Sequence, residues 1–492
     1  MTGRAPVTGD RTDGAGAPEP GADRRVPALV REVEVSRPLP TFAAYDPDGR
    51  RVERVWLLVR VFDEPIGSVT VDVPDTGLAP ADIAAAVEAA HGPAVRARLT
   101  AAGVAVGDAL PVGGVPVAGV PAFLARRAEV LRDAPPVTVV VCTRERPEPL
   151  ARCLDSLLAQ EYPRLRVLVV DNAPVTDATE RVVKEAANRG PVEYLVAPLP
   201  GLSHARNAAV AAAGGEILAW IDDDEVADPH WLAEVARALA DHPEADVVSG
   251  VIVPAELETR VQVWFEQFGG HSKGRGFTPA VFSPATAHLQ SPLYPLPPFG
   301  TGANMTFRPG VIERIGGFDP ALGAGTPAMG SEDTLAFTRV LLGGGTIVYQ
   351  PTAVTWHYHR RDLDGLRRQM VGYGAGLTAA YLSLVLADPK VLVPLLRLVP
   401  TALRDLTADD SLRSAGLEAD FPRELMGANR RGMLTGPFRY LQGRVRNRRL
   451  RNRQPHDRQP HDRQPHDRQP RDRQPRPGRS DDRRPGAGPD RS

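Results

Sequence analysis

An apolar segment runs directly into four consecutive carboxylates in Gly214-Gly-Glu-Ile-Leu-Ala-Trp-Ile-Asp-Asp-Asp-Glu-Val-Ala-Asp-Pro-His-Trp-Leu232. Ile217 to Ile221 is a short hydrophobic run, which is typical of a strand buried on both faces of a parallel sheet. Asp222, Asp223, Asp224 and Glu225 follow at its carboxyl end. At an effective dielectric of about 20, each pair of like charges about 4 Å apart costs roughly 4 kcal/mol. The cluster therefore predicts a bound divalent cation.

Oxygen ligands of this kind favour Mg²⁺ or Mn²⁺, which retain several waters and accept substrate phosphates. The alternative is that the carboxylates belong to a solvated turn and cap the following helix, predicted from Pro229 to Asp241. Asp228 alone accounts for that cap and leaves the triplet Asp222 to Asp224 unexplained. We therefore expect a Mn²⁺ or Mg²⁺ site at the triplet.

Strands and helices alternate on either side of this segment with short connections, which predicts an α/β fold with a mostly parallel sheet covered by helices on both faces. Open sheets of this type bind ligands outside the carboxyl ends of their strands. The strand ends bring Thr143, Glu145, Asp171, the turn before Arg206 and the aspartate triplet to this edge. The predicted strands are 137–141, 166–170, 192–196, 217–221 and 247–253.

The rest of the chain divides by composition. Residues 1–35 and the Arg-rich tail 442–492, with its repeated Arg-Gln-Pro-His-Asp, are expected to be disordered because they lack periodic apolar residues. A small α+β module is predicted at 36–110, a linker with a short helix at 111–135, the catalytic domain at 136–362 and a helical extension at 363–441.

Within the module, strands are expected at 55–62 and 68–73 around a turn at 64–67, followed by a helix over 80–90. Residues 263–296 have the composition of a long irregular lid or binding loop. The apolar stretch 366–405 allows three interpretations, namely packed helices, interfacial membrane contact or a membrane span. Its prolines are expected to interrupt helical structure after residue 387.

Overall composition limits the partners and the compartment. The formal net charge of −1 gives no global electrostatic case for nucleic acid. Cys142 and Cys153 form no zinc or redox motif, which favours a reducing, cytoplasmic environment. The N-terminal residues lack the apolar core of a signal peptide, so none is expected.

A second acidic motif supplies a candidate base. In Gly330-Ser-Glu-Asp-Thr334, which opens a predicted helix, Asp333 is the first choice for a general base and Glu332 the second. The alternative is that these acids only favour a helix N-terminus. A metal-bound diphosphate would need no protein acid on the leaving-group side, so one base suffices.

Six motifs in order resemble family 2 glycosyltransferases with the nucleotide-diphosphosugar transferase (GT-A, Rossmann-like) fold. They are Val139-Val-Val-Cys-Thr-Arg-Glu-Arg-Pro147, Val169-Val-Asp-Asn172, Gly201-Leu-Ser-His-Ala-Arg-Asn207, Ile221-Asp-Asp-Asp224, Gly300-Thr-Gly-Ala-Asn-Met305 and Ser331-Glu-Asp333. The resemblance covers about Pro136 to His359. It implies inverting transfer of a sugar from a nucleotide-diphosphosugar.

The resemblance also implies roles for individual residues. The metal would be bound by Asp222 and Asp224, joined by His357 or His359 at the following strand end, with His357 preferred. Asn304 and Gly302 would lie near the donor sugar or acceptor, and Asp333 would be the base. The implied nucleotide-binding residues are Thr143, Glu145, Asp171, Arg206 and Asp223.

The chain lacks the Gln-x-x-Arg-Trp signature of processive synthases, which favours addition of a single sugar. The acceptor would be a carbohydrate, a lipid-linked glycan or a secondary metabolite, reached in the cytoplasm or by peripheral contact with the inner face of the membrane. The alternatives are an inactive nucleotide-sugar-binding protein and a nucleotidyltransferase-like protein of the same fold. A pyrophosphorylase would need a glycine-rich loop after the first strand, and no Gly-x-Gly-x-x-Gly of a dehydrogenase follows a strand.

Overall fold

The computed structural model describes residues 25–105, 107, 109–117, 119–271, 275–285, 292–294, 299–407 and 417–453. Residues 1–24 and the repeat tail from 454 onward, both expected to be disordered, lie outside the described residues. Cys142 and Cys153 are free thiols.

The N-terminal module contains a three-stranded sheet with one helix packed against it and a separate two-stranded sheet. Its first strands begin at Arg25 and Leu29, inside the stretch expected to be disordered, because Val26 and Val33 are buried and β2 pairs in parallel with β4. The elements are β1 (Arg25–Val26), β2 (Leu29–Glu34), β3 (Arg51–Val52), β4 (Arg54–Val61), β5 (Glu64–Asp72) and α1 (Pro80–Ala101).

The turn between β4 and β5 lies at Phe62 and Asp63 and not at 64–67. Both residues adopt positive φ, 51° and 69°. The Glu34 carboxylate accepts hydrogen bonds from their backbone N–H groups at 2.9 and 2.7 Å. A carboxylate from β2 thus stabilises a backbone geometry that non-glycine residues rarely adopt.

The following elements build the central domain. They are α2 (Ala122–Arg132), β6 (Val137–Thr143), α3 (Pro147–Leu158), β7 (Leu165–Asn172), α4 (Ala178–Ala187), β8 (Val192–Ala197), α5 (Leu202–Ala212), β9 (Ile217–Asp222), β10 (Glu225–Ala227), α6 (Trp231–Asp241), β11 (Val247–Pro254), α7 (Arg260–Gln267), β12 (Ala280–Phe282), β13 (Asn304–Phe307), α8 (Val311–Arg314), α9 (Glu332–Leu342) and β14 (Ile347–His357).

These strands form one sheet in the order β10-β14-β11-β13-β9-β6-β7-β8, with β12 paired to β14. The neighbours β9, β6, β7 and β8 run parallel, as do β11 and β14, whereas β13 runs antiparallel between β9 and β11. Apolar cores cover both faces of the sheet. The predicted α/β class with a mostly parallel sheet is confirmed.

The stretch 263–296 is more regular than expected. Helix α7 begins with a reciprocal capping box, in which Gln262 N donates to Thr259 Oγ1 at 3.3 Å and Thr259 N donates to Gln262 Oε1 at 3.0 Å. Phe265 is buried against the C-terminal helices, and β12 extends the sheet. Helix α4, by contrast, begins after Asp177 without a side-chain cap hydrogen bond.

The C-terminal extension is helical throughout most of its described residues. It contains α10 (Leu363–Ala387), a 3₁₀ turn (Pro389–Val391), α11 (Leu392–Thr407) and α12 (Arg423–Arg453). Helix α10 ends at Ala387, just before Pro389, as expected. The later prolines do not break the next helix, since Pro394 lies in the first turn of α11 and Pro400 in its interior. Residues 442–453, which were expected to belong to the disordered tail, form the end of α12.

Helix α10 is long and apolar enough to cross a membrane by length and composition, although half of its most apolar window is buried inside the protein. Its buried residues include Leu366, Met370 and Leu384. Leu366 and Met370 share a cluster with Phe265 of α7 and Leu425 of α12. This packing supports the first of the three interpretations for this helix.

Candidate active site

A cavity of about 640 Å³ opens at the carboxyl ends of β6 and β9. Its walls come from the turn after β6, the aspartate triplet after β9, the loops before β13 and α9, and helices α10 and α12. Ligand pockets commonly measure about 300–1,000 Å³. The cavity lies at the sheet edge that the sequence predicts.

The aspartate triplet lines this cavity together with Thr143 and Arg146. Asp223 accepts a hydrogen bond from Thr143 Oγ1 at 2.6 Å. Arg146 bridges Asp223 and Asp224, with Nη2 2.9 Å from Asp224 Oδ2. Burial, followed by the charge of Asp224, raises the pKa of Asp223 to about 7. Burial would also raise the pKa of Asp224, but His357 and Arg146 hold it well below its usual value.

Glu225, the fourth carboxylate, does not line the cavity. It is fully buried in β10 and pairs in register with His357 of β14. Burial, with the charges of Asp222 and Asp224, raises its pKa well above the usual value. The run of four acids therefore separates into a triplet at the cavity and one acid inside the protein.

His357 completes the candidate metal site from the end of β14. Its Nε2 lies 3.4 Å from Asp224 Oδ1. Its Nδ1 lies 2.8 Å from Nδ1 of His359, whose Nε2 lies 2.7 Å from Glu266 Oε1. Burial lowers the pKa of His359. A metal-binding imidazole is commonly oriented through its other nitrogen in this way.

These donors fit a divalent cation. An octahedral ion with bonds of about 2.1 Å separates neighbouring donor atoms by about 3 Å, close to the 3.4 Å between Asp224 Oδ1 and His357 Nε2. Arg146 contacts the other oxygen of Asp224 and leaves Oδ1 for the ion. The side chain of Asp222 is 39% exposed and faces the same cavity. Asp222, Asp224 and His357 would hold the ion.

Arg206 links the triplet to the second acidic motif. Its guanidinium is buried, with Nη1 3.0 Å from Glu332 Oε1 and Nη2 3.0 Å from the Gly302 carbonyl oxygen. Asp222 Oδ1 lies 3.8 Å from Nη2. The ring of Phe318 lies beneath the guanidinium, 5.4 Å from its Cζ. Arg206 therefore neutralises the carboxylates and fixes the wall between them.

Asp333 lies in the first turn of α9 and lines the cavity. Its Oδ2 accepts a hydrogen bond from Gly302 N at 2.6 Å and its Oδ1 accepts one from Thr334 N at 2.7 Å. A Cβ at Gly302 would lie 2.7 Å from Arg206 Nη2 and 3.1 Å from Asp333 Cβ. Glycine is thus needed here so that the chain can pass between the two side chains.

Glu332, the second choice for the base, is buried and paired with Arg206. Burial raises its pKa to about 7, although Arg206 opposes the shift. The ion pair occupies one oxygen of Glu332. By contrast, Asp333 Oδ1 accepts hydrogen bonds from the Thr334 N–H and, at 3.4 Å, from the Thr334 hydroxyl, whereas Oδ2 accepts one from Gly302 N and keeps a second lone pair. The geometry favours Asp333 over Glu332 for proton transfer.

Three predicted nucleotide or sugar contacts do not line the cavity. Asn304 is buried, with Nδ2 donating to the carbonyl oxygens of Val251 and Ala353 at 3.1 and 2.9 Å and Oδ1 accepting from Trp231 Nε1 at 3.0 Å. Its amide is fully used in joining strands, so we do not retain it as a sugar contact.

Asp171 and Glu145 have structural partners of their own. Asp171 Oδ2 accepts from the Tyr194 hydroxyl at 2.8 Å, and burial raises the pKa of Asp171. Glu145, at a φ of 53°, accepts from the backbone N–H groups of Val175 and Thr176 at 2.7 and 3.0 Å. Glu145 therefore joins the turn after β6 to the loop after β7, and Asp171 joins β7 to β8.

Sequence reasoning missed several cavity residues. Arg146 contacts two of the triplet carboxylates, and Arg360, Arg368, Gln369 and Tyr373 line the wall formed by α10 and the segment before it. A sequence signal for the latter group exists, because two arginine pairs, at 360–361 and 367–368, closely follow the histidine-rich end of β14. No local pattern indicates that Arg146 reaches the triplet.

Comparison with known proteins finds a family model that matches the central part of the chain. Residues 138–316 match the family model described as Glycosyl transferase family 2. A glucosyl-dolichyl phosphate glucuronosyltransferase of Haloferax volcanii is 26% identical over 197 residues, covering 38% of this chain and 57% of that protein. The succinoglycan biosynthesis protein ExoM of Rhizobium meliloti is 30% identical over 223 residues, covering 44% and 65%. The chain thus spans less than two thirds of either relative.

Solved structures show a weaker likeness. A mannosyltransferase from Pyrobaculum calidifontis in complex with GDP-Man and Mn²⁺ has a TM-score of 0.38 and 23% identity, with 68% of this chain and 94% of that chain covered. Residues 1–349 of S. aureus TarS in complex with UDP-GlcNAc give a TM-score of 0.36 and 15% identity, with 63% and 92% covered. At these TM-scores the structural likeness adds nothing to the family assignment.

Proposed function

Because residues 138–316 match the model of glycosyl transferase family 2, we propose that the chain transfers a single sugar from a nucleotide-diphosphosugar to an acceptor hydroxyl, with inversion at the anomeric carbon. The main support is that the aspartate triplet and Asp333 line one cavity. A volume of about 640 Å³ suits a nucleotide with one attached sugar.

The donor's diphosphate would bind beside Asp222, Asp224 and His357, which hold Mn²⁺ or Mg²⁺. When bound, the ion supplies positive charge to the diphosphate oxygens. An imidazole among the donors favours Mn²⁺. Arg146, which contacts Asp224, would adjust its pairing as the ion and diphosphate enter. Thr143 and Asp171, at the ends of β6 and β7, and Glu145, in the turn after β6, would support the nucleoside side of the cavity.

Asp333 would remove the proton from the acceptor hydroxyl. The acceptor oxygen then forms a bond to the anomeric carbon while the carbon–oxygen bond to the diphosphate breaks on the opposite side, so the configuration inverts. The two backbone N–H groups of Gly302 and Thr334 hold the Asp333 carboxylate in one orientation. Arg206 fixes Gly302 in turn through its carbonyl oxygen. A base positioned in this way contributes about 10²–10⁴-fold to a rate.

For the acceptor we propose a carbohydrate or a lipid-linked glycan, used on the cytoplasmic side of the membrane. The relatives support this choice, since one is named for a dolichyl phosphate-linked sugar and the other for succinoglycan biosynthesis. Nucleic acid is not proposed as a partner of the cavity. The sheet-end carboxylates would repel its phosphates unless metal intervened.

The test is a panel of UDP-, GDP- and dTDP-sugars, incubated with the full chain, mixed acceptors, and either Mn²⁺, Mg²⁺ or EDTA. We expect release of one nucleoside diphosphate that requires metal and acceptor, and an α-linked donor should give a β-linked product by NMR. Asp333→Asn is the matched control and should bind the same donor without transfer. Equal release in EDTA, or retention of configuration, would contradict the proposal.

A further inference from the structure

Helix α12 presents two different faces. One face packs against α10, where a Cβ at Gly432 would lie 2.2 Å from the Val371 carbonyl oxygen and one at Gly436 would lie 2.3 Å from that of Ala375. Leu425 and Tyr440 are buried on this side. Close backbone contact through small residues fixes the rotation of α12 about its own axis. The opposite face is therefore held outward.

The outward face carries four apolar side chains at positions i, i+4, i+7 and i+11. Leu434, Phe438, Leu441 and Val445 are 85%, 65%, 48% and 52% exposed. At 3.6 residues per turn they fall within an arc of about 60° and form one continuous stripe. Scattered exposed apolar residues are ordinary, but an aligned stripe indicates a surface that is covered in use.

Arginine lies on both sides of this stripe. Arg431 and Arg449 are exposed on one flank, and Arg444 and Arg448 on the other. Glu424, in the first turn, is the only acidic residue of the helix. The outward face thus combines an apolar centre with positive edges. This combination matches a surface of acyl chains and anionic headgroups.

Helix α11 also exposes a stripe of apolar side chains. Leu392, Leu396, Val399 and Leu403 have the same i, i+4, i+7, i+11 spacing and are 46%, 60%, 45% and 57% exposed. The other side of α11 packs on a cluster that includes Tyr440 of α12. Two neighbouring helices therefore each expose an aligned apolar stripe.

We propose that α12, assisted by α11, docks the protein on an anionic lipid bilayer, with the Leu434 stripe in the headgroup–acyl boundary. A nucleic acid would pair with the arginines but would leave Leu434 and Phe438 in water. An anionic bilayer would pair with the arginines and would also bury Leu434 and Phe438. This docking does not depend on the proposed sugar transfer.

The docking helix also forms part of the cavity wall. Asn429 and Met433 of α12 line the cavity, and Leu434 follows directly on the outward side. A helix with its side chains is about 10–12 Å wide. The bilayer and the cavity would then lie on opposite sides of a single helix, within reach of a membrane-held acceptor.

The test is flotation of the full chain with vesicles of phosphatidylcholine alone or mixed with phosphatidylglycerol. We expect binding to the mixed vesicles that weakens with salt. The variant Leu434→Ser/Phe438→Ser/Leu441→Ser should need about tenfold or more lipid for half-binding. Arg448→Gln/Arg449→Gln should weaken binding about fivefold for each arginine.

The matched control is Val120→Ser/Val196→Ser, at exposed valines outside these helices. All variants retain the residues beyond 453, so a difference between the stripe and control variants cannot arise there. Should the triple variant unfold by circular dichroism, Leu434→Ser alone, at the most exposed position, should still need about threefold more lipid. Unchanged vesicle binding by the stripe variant would overturn the proposal. So would stripe-dependent dimerisation in sedimentation velocity, or binding to an oligonucleotide without binding to vesicles.

Discussion

Replacing Asp333 by asparagine tests the assignment of the base with little change in shape. Asp333 accepts backbone N–H bonds through both oxygens, from Gly302 at 2.6 Å and Thr334 at 2.7 Å. Asparagine has one accepting oxygen, so one of these N–H groups would face an NH₂ group. We expect the free energy of unfolding to fall by about 1–3 kcal/mol, the cost of one buried unpaired donor.

The effect on catalysis should be much larger than this structural cost. Loss of a general base lowers kcat by about 10²–10⁴-fold. The donor-binding groups Asp222, Asp224 and His357 are unchanged, so KM for the donor should stay within about threefold. The assay is release of nucleoside diphosphate at saturating acceptor, with calorimetry for donor affinity and urea unfolding for stability.

Asp362→Asn is the matched control for this experiment. Asp362 also begins a helix and accepts a backbone N–H, from Gly365 at 2.7 Å, but its side chain does not line the cavity. The control should keep its activity. If Asp333→Asn folded normally and retained more than about a tenth of kcat, the reasoning would be refuted, because a base contributes at least about 10²-fold.

Three other substitutions probe metal preference, pH dependence and attachment of the N-terminal module. His357→Gln should weaken Mn²⁺ binding by about tenfold or more, by electron paramagnetic resonance, and Mg²⁺ binding by less; equal losses would argue against an imidazole ligand. Burial raises the pKa of Glu332 to about 7, so its neutral form stabilises the fold below about pH 4.5 and this contribution is lost as pH rises to about 7. Relative to Glu332→Gln, the wild type should therefore lose on the order of 3 kcal/mol of unfolding free energy across that pH range, as measured by urea unfolding. Parallel curves of unfolding free energy against pH for the two proteins would exclude the raised pKa of Glu332. Arg60→Met should lower the free energy of unfolding by about 3–5 kcal/mol because Asp228 is then buried without its partner, and adding Asp228→Leu should restore much of this stability. If the effects of the two substitutions were simply additive in the double variant, the two side chains would not be coupled.

Much of the sheet and its ligand edge could be predicted because each strand is a short apolar run that ends in polar residues. The strand from Ile217 into Asp222 is found where expected, and Asp333 lies in the first turn of its helix as expected. Local patterns carry this information, since burial on both faces of a parallel strand requires a continuous apolar run.

Contacts distant in sequence could not be predicted in the same way. Arg146 reaches Asp223 and Asp224 across the sheet edge, and no local spacing indicates this. Asn304 follows a glycine-rich loop that suggests a ligand contact, but pairing of β13 with β9 points its amide into the sheet. If β13 paired with β9 one residue out of this register, the Asn304 side chain would lie on the opposite face of the sheet.

The secondary structure of the region after β11 could not be predicted from its composition. Its glycine, proline and serine residues favour a loop, yet Phe265 is buried against α10 and α12 and the capping pair at Thr259 starts a helix. Likewise, the arginine-rich residues 442–453 look disordered by composition, whereas α12 continues through them because its buried face extends to Tyr440 and Gly443. Tertiary packing decided the structure in both places.

The central claim is that Asp222, Asp224 and His357 hold a divalent ion that binds a nucleoside diphosphate. It is tested most directly by titrating UDP, GDP and dTDP into the full chain by calorimetry, with Mn²⁺ or with EDTA, in the wild type and in Asp224→Asn. The account predicts that one nucleotide binds in Mn²⁺, that EDTA abolishes this binding, and that Asp224→Asn weakens it by about 10–100-fold. Equal affinity with and without Mn²⁺, or an unchanged affinity in Asp224→Asn, would contradict it.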